Sequence, residues 1–380
     1  MDESRGNAES LKGQARDAKS YQRIKENLTL IHLVWSPLLL ALVAFTPVTR
    51  WLAGAASGFT ANRYGEAALY YLFLSLVFFL ANLPLAYYSE FTIEHRYGLS
   101  NQTFGGWVGF TIKKTVLTTL LSVALVTGLY VFIWKFPAAW WVLGWAAYVV
   151  LSVVIGKVFP VLIVPLFYKY DRVQDQALRG RILALTDRYG LPIENLYSLN
   201  LSKTTKKANA AFMGMGKGKR VVLSDTLIEH FSPEEIEIVV AHELGHYKHR
   251  DILKQVALGS VSSLAIFYLA FHTLEASSRA LGFDGAGDLL ALPLLFLIFT
   301  IAGTLLTPVQ SVFSRSLERA ADRFALEAVK SVDTFISCME KLGRVNLADT
   351  SPHPVYEWFF YDHPSIPRRI EMARKWSAAS

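Results

Sequence analysis

Six long runs of apolar residues recur along the chain. Each is long enough to cross a bilayer, which takes about 20 helical residues. They occupy residues 28–47, 67–88, 116–134, 138–168, 256–274 and 289–312. The pattern predicts an all-α membrane protein with about six transmembrane helices.

The polar segment between the fourth and fifth runs, residues 169–254, has the patterning of a soluble unit. Residues 178–189 follow the period of an amphipathic helix, and residues 195–201 are typical of a strand. Residues 209–213 and 220–224 predict a β-hairpin, whose turn includes the glycines of Gly216-Lys217-Gly218-Lys219. We therefore expect a small β-hairpin or sheet within this segment.

Composition and charge support a membrane protein. Hydrophobic residues make up 52% of the chain and charged residues 18%, below the roughly 25% of soluble domains. The net charge of +7 does not indicate nucleic-acid binding, because the basic residues lie between apolar runs rather than along one helix or groove. The single cysteine, Cys338, excludes an internal disulfide and is typical of a small buried apolar residue.

The distribution of Lys and Arg predicts the orientation in the bilayer. The loop between the second and third runs and the segment 169–254 are basic, whereas the alternate loops carry little positive charge. By the positive-inside rule, both termini and the soluble segment face the cytoplasm. Lys157, inside the fourth run, is expected to snorkel or to face a wet interior.

The soluble segment ends in a helix that carries H-E-x-x-H. The start of this helix is predicted at Ser232, which suits the N-cap. Pro233 suits the first helical position, and Glu235 completes a capping box. His242 and His246, four residues apart, share one face and can bind one ion. This spacing suits zinc, with Glu243 beside the metal-bound water as catalytic base.

The third metal ligand must come from another part of the chain. Glu318 follows the sixth run, and a carboxylate there completes a His₂Glu zinc site. Asp322, four residues later, can accept the second N–H of a metal-bound imidazole. A solvated charged face after a membrane span is the alternative on spacing alone. His249 is interpreted as a polar residue at the end of the helix.

Further blocks accompany the His242 and Glu318 motifs: residues 94–103, 209–214 and 219–227, His363-Pro364-Ser365 and Arg369-Ile370. Together, over about residues 15–374, these blocks resemble the type I CAAX prenyl protease family of integral-membrane gluzincin zinc peptidases. This likeness implies, as an expectation, one zinc per chain and a barrel of membrane helices around a wet chamber, with the metal at its cytoplasmic end.

The resemblance also implies roles for residues that spacing alone does not identify. Asn209, Ala210 and Ala211 would lie in an edge strand that pairs with the bound peptide. His363 and Arg369 would bind substrate and stabilise the oxyanion. The lipid bilayer is a second partner, and an isoprenyl lipid is a further partner that the resemblance allows.

Two features depart from the family pattern. Eukaryotic members have a further span at the N-terminus, where this chain is polar. The chain therefore resembles bacterial members, for which the plasma membrane is expected. In a eukaryote the endoplasmic reticulum is the expected membrane. The serine-rich stretch before the Asn-Ala strand is replaced by Lys203-Thr204-Thr205-Lys206-Lys207. This replacement concerns the natural substrate more than the chemistry.

The sequence therefore predicts five segments: a polar N-terminal segment (1–27), transmembrane helices 1–4 (28–168), a cytoplasmic metalloprotease domain (169–254), transmembrane helices 5–6 (255–312), and a C-terminal part with the third-ligand helix and substrate-binding helices (313–380). The predicted function is a membrane zinc endopeptidase that cuts near the C-terminus of CAAX-type or other membrane-associated substrates. Two alternatives remain: a quality-control protease of the HtpX kind, and a catalytically silent scaffold that keeps zinc for stability.

Overall fold

A computed structural model describes residues 2–191, 193, 195–213, 220–349 and 351–379, with side chains between Arg16 and Ala378. The α-helices of this part of the chain are Asp2–Phe45 (α1), Val48–Phe59 (α2), Arg63–Ala86 (α3), Ile93–Arg96 (α4), Phe104–Lys135 (α5), Trp140–Val158 (α6), Val164–Phe167 (α7), Gln176–Arg188 (α8), Asp225–His230 (α9), Pro233–Lys248 (α10), Asp251–Ala280 (α11), Leu292–Val329 (α12), Val332–Val345 (α13), Pro354–Phe360 (α14) and Ile366–Ala379 (α15). Two π-helical segments, Tyr87–Thr92 and Phe159–Ile163, continue α3 and α6.

The predicted number of membrane helices is confirmed. Over the described residues, six helical stretches are long and apolar enough to span a bilayer: Arg16–Phe45, Arg63–Arg96, Phe104–Lys135, Trp140–Phe167, Asp251–Ala280 and Leu289–Val329. They overlap all six apolar runs, and all but the fourth are longer than the run, because hydropathy marks only the lipid-facing part of a helix that continues beyond it. The enclosed chamber stays a prediction.

The polar N-terminal segment is not separate from the first span. α1 runs without a break from Asp2 to Phe45, so the predicted boundary after residue 27 lies inside a helix. Tyr21 is buried and packs with Ile93 and Leu99. These contacts with the segment that follows α3 stabilise the polar part of α1, so the helix extends beyond the apolar run.

The sixth span and the third-ligand segment are also one helix. α12 extends from Leu292 to Val329 with Pro308 inside it, so the boundary predicted between residues 312 and 313 lies within continuous helix. This continuity carries Glu318 from the apolar span directly to α10. The division into domains remains a prediction.

The soluble unit contains a small mixed sheet. Among the described residues its strands are Tyr170–Arg172 (β1), Asn195–Leu199 (β2), Ala210–Met213 (β3) and Arg220–Ser224 (β4), in the order β1-β2-β4-β3. β3 and β4 pair antiparallel, as expected for the predicted hairpin. The predicted turn, Gly216 to Lys219, lies outside the described residues.

Two predicted strand ends were wrong. β2 ends at Leu199, and the chain then forms a 3₁₀ turn over Leu201–Lys203 instead of continuing to Leu201. β3 begins at Ala210, so Asn209 precedes the strand. The side chain of Asn209 accepts a hydrogen bond from the Ala210 amide, a local contact that competes with regular strand geometry.

One hydrophobic core joins α8, the sheet, α10 and the C-terminal helices. Ile182, Leu223, Ile236 and Phe335 are all buried in it, and each such side chain contributes about 1.5–3 kcal/mol. Cys338 is also buried in this core, as expected. The core fixes the position of α10 relative to α12 and α15.

Candidate metal centre

The local sequence sets the start of α10. The hydroxyl of Ser232 accepts from the Glu235 amide, and the Glu235 carboxylate accepts from the Ser232 amide at 2.9 Å, with Pro233 at the first helical position. The predicted capping box is therefore present. It sets the helical phase that places His242 and His246 on one face.

Three side chains of α10 and α12 converge on one point. Nε2 of His242 and Nε2 of His246 lie 3.1 Å apart. Oε2 of Glu318 lies 3.1 Å from Nε2 of His242, and Oε1 lies 3.3 Å from Nε2 of His246. These separations fit zinc, because ligands at 2.0–2.1 Å in tetrahedral geometry lie about 3.3 Å apart.

The chemistry of these atoms also fits a cation. Oε2 of Glu318 is buried without a hydrogen bond among the described atoms, although it faces His242. Burial lowers the pKa of His242, but its contacts with the carboxylates of Asp322 and Glu318 outweigh burial and raise the pKa to about 9. The surroundings therefore favour positive charge where a metal would sit.

Asp322 orients His242. Its Oδ1 lies 2.8 Å from Nδ1 of His242, so Nε2 is left to face Glu318. Arg369 from α15 pairs with the same carboxylate through Nε, at 2.9 Å, and Nη2. Both Asp322 and Arg369 are buried, so this ion pair holds the imidazole of His242 at Nδ1, the ring nitrogen that faces away from Glu318.

His246 has an equivalent acceptor that the sequence reasoning missed. Nδ1 of His246 lies 3.0 Å from Oδ2 of Asp251, and Lys254 donates to the other oxygen at 2.8 Å. Asp251 is the first residue of α11, after a left-handed Arg250. An acidic residue directly after the helix break was the signal in the sequence.

Gly245 lets α10 and α12 approach closely. A Cβ atom at this position would lie 3.1 Å from Cα of Ala321 and 3.2 Å from Cβ of Phe324. Both residues lie on the turns of α12 that carry Asp322. A small residue between the two histidines is therefore needed to bring the α12 carboxylates within reach of α10.

Glu243 and His363 lie beside the three ligands. Burial raises the pKa of the Glu243 carboxyl, while the neighbouring His242 and His246 lower it in part. Nε2 of the exposed His363 lies 3.2 Å from Oε1 of Glu318, and its Nδ1 lies 2.9 Å from Asp362. The position of Glu243 suits a base, and that of His363 suits a hydrogen-bond donor, next to a metal-bound substrate.

Arg369 lies against the Nδ1 side of His242. Its guanidinium binds Asp322 and lies 3.4 Å from Nδ1 of His242, the ring nitrogen opposite the ligand atom Nε2. It is 9% exposed. The geometry indicates a residue that positions His242, because the ring separates the guanidinium from the metal position.

His249 ends α10, as expected, and its ring packs against Phe324 at 5.9 Å. Lys157 is exposed on α6. Neither side chain is among the metal-ligand cluster found in the described residues.

The edge of the sheet lies next to this site. β3 is the last strand of the sheet in the described part of the chain, and Phe212 packs against Tyr247 of α10 with ring centroids 4.9 Å apart. The Ser224 amide donates to the Asn209 carbonyl at 2.8 Å. Antiparallel pairing alternates, so Ala211 bonds toward β4 while the backbone groups of Ala210 and Phe212 face outward.

Comparisons with known proteins cover nearly the whole chain. Residues 172–377 match the model of Peptidase family M48, and residues 9–169 match "CAAX prenyl protease N-terminal, five membrane helices". An uncharacterized metalloprotease, YhfN, of Bacillus subtilis is 29% identical over 94% of this chain and 85% of its own length.

Eukaryotic relatives and a solved structure agree. The CAAX prenyl protease 1 homolog of Arabidopsis thaliana is 31% identical over 77% of this chain and 69% of its own length. The crystal structure of Ste24p of S. mikatae superposes with a TM-score of 0.85 at 23% identity, covering 95% of this chain and 89% of that one. The fold and both halves of the sequence thus agree, and the chain belongs to peptidase family M48 as a multi-pass membrane metallopeptidase of the CAAX prenyl protease type.

Proposed function

We propose that the chain binds one Zn²⁺ through His242, His246 and Glu318 and hydrolyses peptide bonds near the C-terminus of CAAX-type, membrane-associated substrates. The convergence of the two imidazole Nε2 atoms and the Glu318 carboxylate, with separations of 3.1–3.3 Å, carries this proposal. Relatives named CAAX prenyl protease 1 support the substrate class.

The side chains around the ligands divide the chemistry between them. Zinc, when bound, would polarise the scissile carbonyl and lower the pKa of a coordinated water. The Glu243 carboxylate accepts a proton from the attacking water and delivers it to the amide nitrogen as the C–N bond breaks. Burial raises the pKa of this carboxyl, which is the direction expected for a group that both takes and returns a proton.

His363 and Arg369 have different tasks in this proposal. His363 donates a hydrogen bond to the carbonyl oxygen as negative charge develops, because its Nε2 already lies beside Glu318. Arg369 holds Asp322, and Asp322 holds the ring of His242. Arg369 is therefore a positioning residue.

The peptide is proposed to add to the sheet as a further strand along β3. The Ala210 carbonyl and the outward amide and carbonyl of Phe212 supply hydrogen bonds to it. Asn209, whose side chain accepts from the Ala210 amide, lies at one end of the groove. Ala211 contributes through its side chain, since its backbone pairs with Val222. An extended peptide held in this way passes close to α10.

The membrane and its sidedness complete the proposal. By the positive-inside rule, the basic loops support an active site that faces the cytoplasm. Bacillus subtilis YhfN matches nearly the full chain, which supports a bacterial plasma membrane. An isoprenyl group on the substrate would enter the bilayer or the predicted chamber.

Purified protein loaded with one equivalent of zinc tests this function directly. Peptides ending in a CAAX sequence, with and without a farnesyl group, are incubated with it and their products identified by mass spectrometry. We expect release of a short C-terminal fragment that is absent with Glu243→Gln. Cleavage of an unfolded membrane protein but of neither CAAX peptide would favour the quality-control alternative and overturn the proposed substrate class.

A further inference from the structure

A polar cavity lies at the N-terminal end of β3. Its volume is about 560 Å³, and it is lined by side chains from α1, the segment before β3 and the end of α13. The lining includes Tyr21, Lys25, Lys207, Asn209 and Asn346. Asn209 belongs to both the cavity and the proposed peptide groove, so the two are continuous.

The cavity carries excess positive charge. Lys25 and Lys207 lie 3.1 and 3.2 Å from the two oxygens of one carboxylate, Glu94. Tyr21 donates to the same carboxylate at 2.7 Å and accepts from Lys207 at 2.8 Å. Two ammonium groups on one carboxylate leave a net charge of about +1.

Both ammonium groups keep hydrogen-bonding capacity. Each is 34% exposed. In the described structure Lys207 donates to Glu94 and Tyr21, and Lys25 to Glu94 and the Ser89 carbonyl. Since an ammonium group has three donors, each lysine can donate once more to an anion in the cavity.

The open edge of the sheet ends at this cavity. Asn346 accepts from the Ala208 amide at 3.0 Å and donates to the Ala208 carbonyl at 3.4 Å. By the alternation of the strand, Ala208 faces the same side as Ala210 and Phe212. The amide of Asn346 therefore occupies the place of the next peptide unit, and an added strand must stop opposite Ala208.

We propose that this cavity binds the free C-terminal carboxylate of the peptide substrate, with Lys207 and Lys25 as its cationic partners. The inference rests on the proposed function and adds the direction in which the peptide binds. The chain end that binds two ammonium groups is the negatively charged C-terminus. Because the cavity lies at the N-terminal end of β3, the peptide runs antiparallel to β3. Lys207 lies in the basic stretch that distinguishes this chain from the family pattern.

The carboxylate then also sets the cleavage position. Asn346 stops the strand and the lysines hold its last residue, so the scissile bond lies at a fixed number of residues from the C-terminus. The site selects protein ends rather than internal segments.

The test compares two peptides of one CAAX sequence, one with a free carboxylate and one with a C-terminal amide. The measured quantity is the ratio of their kcat/KM values. We expect the wild-type protein to favour the acid by about tenfold, the effect of one charge-assisted hydrogen bond at a partly exposed site. Lys207→Gln and, independently, Lys25→Gln should bring the ratio close to one.

Lys206→Gln is the matched control, because Lys206 is an exposed neighbour outside the cavity lining. It should keep the wild-type ratio. Each ratio is internal to one variant, so a general loss of folded protein cancels. Equal cleavage of both peptides by the wild type, or an unchanged ratio in both cavity variants, would overturn the carboxylate subsite alone. Cleavage of neither peptide by the zinc-loaded wild type would instead overturn the proposed function.

Discussion

Nδ1 of His242 lies 2.8 Å from Oδ1 of Asp322, a residue one helical turn beyond Glu318 on α12. One helix thus supplies both a metal ligand and the acceptor that orients another ligand. Arg369 neutralises the buried Asp322 and contacts the same oxygen, Oδ1. The affinity of the metal site should therefore depend on residues that never touch the metal.

Asp322→Asn should weaken zinc binding by about 10- to 100-fold, the usual effect of losing such an acceptor. The amide is a poorer acceptor for the imidazole N–H, and Arg369 loses its counter-charge. Competition with a chromophoric chelator measures the change. Asp333→Asn, at an exposed position of α13, is the control and should bind zinc like the wild type. Wild-type affinity in Asp322→Asn would refute the orienting role.

Gly245→Ala should reduce both zinc affinity and activity, because the new methyl group would lie 3.1 Å from the α12 backbone. α10 and α12 must then separate by a few tenths of an ångström, which draws Glu318 away from the histidines. Zinc titration and peptide cleavage measure the effect. An unchanged zinc affinity would show that the close approach is not required.

Gly180→Ala is the matched glycine control. Gly180 lies in α8, and a Cβ atom there would meet nothing within 4 Å. Replacing a helical glycine by alanine in open space stabilises a helix by up to about 1 kcal/mol. Thermal unfolding should therefore show no loss of stability, and zinc binding should be retained.

Glu243→Gln should lower peptide cleavage by about 10²–10⁴-fold, the contribution typical of a general base. The shape of the side chain is kept and no metal ligand is lost, so zinc should stay near one per chain. Glu237→Gln on the same helix breaks a surface contact with Arg181 and should leave cleavage unchanged. Retained cleavage in Glu243→Gln would assign the base to another residue.

His363→Ala should lower kcat by about 10²–10³-fold, as expected for loss of one oxyanion donor. His363 is exposed, so thermal stability and zinc content should stay close to those of the wild type. His230→Ala, another exposed histidine, is the control for loss of an imidazole. An increase in KM with unchanged kcat would instead place His363 in ground-state binding.

The membrane helices and the pair of histidines in the cluster of His242, His246 and Glu318 could be predicted because their signals are local. Apolar runs mark spans, and the spacing of His242 and His246 is set by one helical turn. Glu318 could be proposed as a ligand because it follows the sixth apolar run and has Asp322 four residues later. Spacing alone left a solvated, charged helix face as the alternative.

Apart from the contact of Asp322 with an imidazole, the long-range contacts of the metal centre and of the cavity could not be predicted in the same way. Arg369 and Asp322 are 47 residues apart, and Tyr21 and Glu94 are 73 apart, so no periodicity links them. β1 has only three residues, too few for an alternating pattern to appear. The continuity of α1 and α12 was missed because a helix that leaves the bilayer changes its hydropathy without ending.

The most direct test of the metal centre is a crystal structure of the zinc-loaded protein with data collected at the zinc absorption edge. We expect a single anomalous peak about 2.0–2.2 Å from Nε2 of His242, Nε2 of His246 and a carboxylate oxygen of Glu318. A peak bound by the two histidines with Glu318 outside bonding distance, or no peak between α10 and α12, would contradict the account.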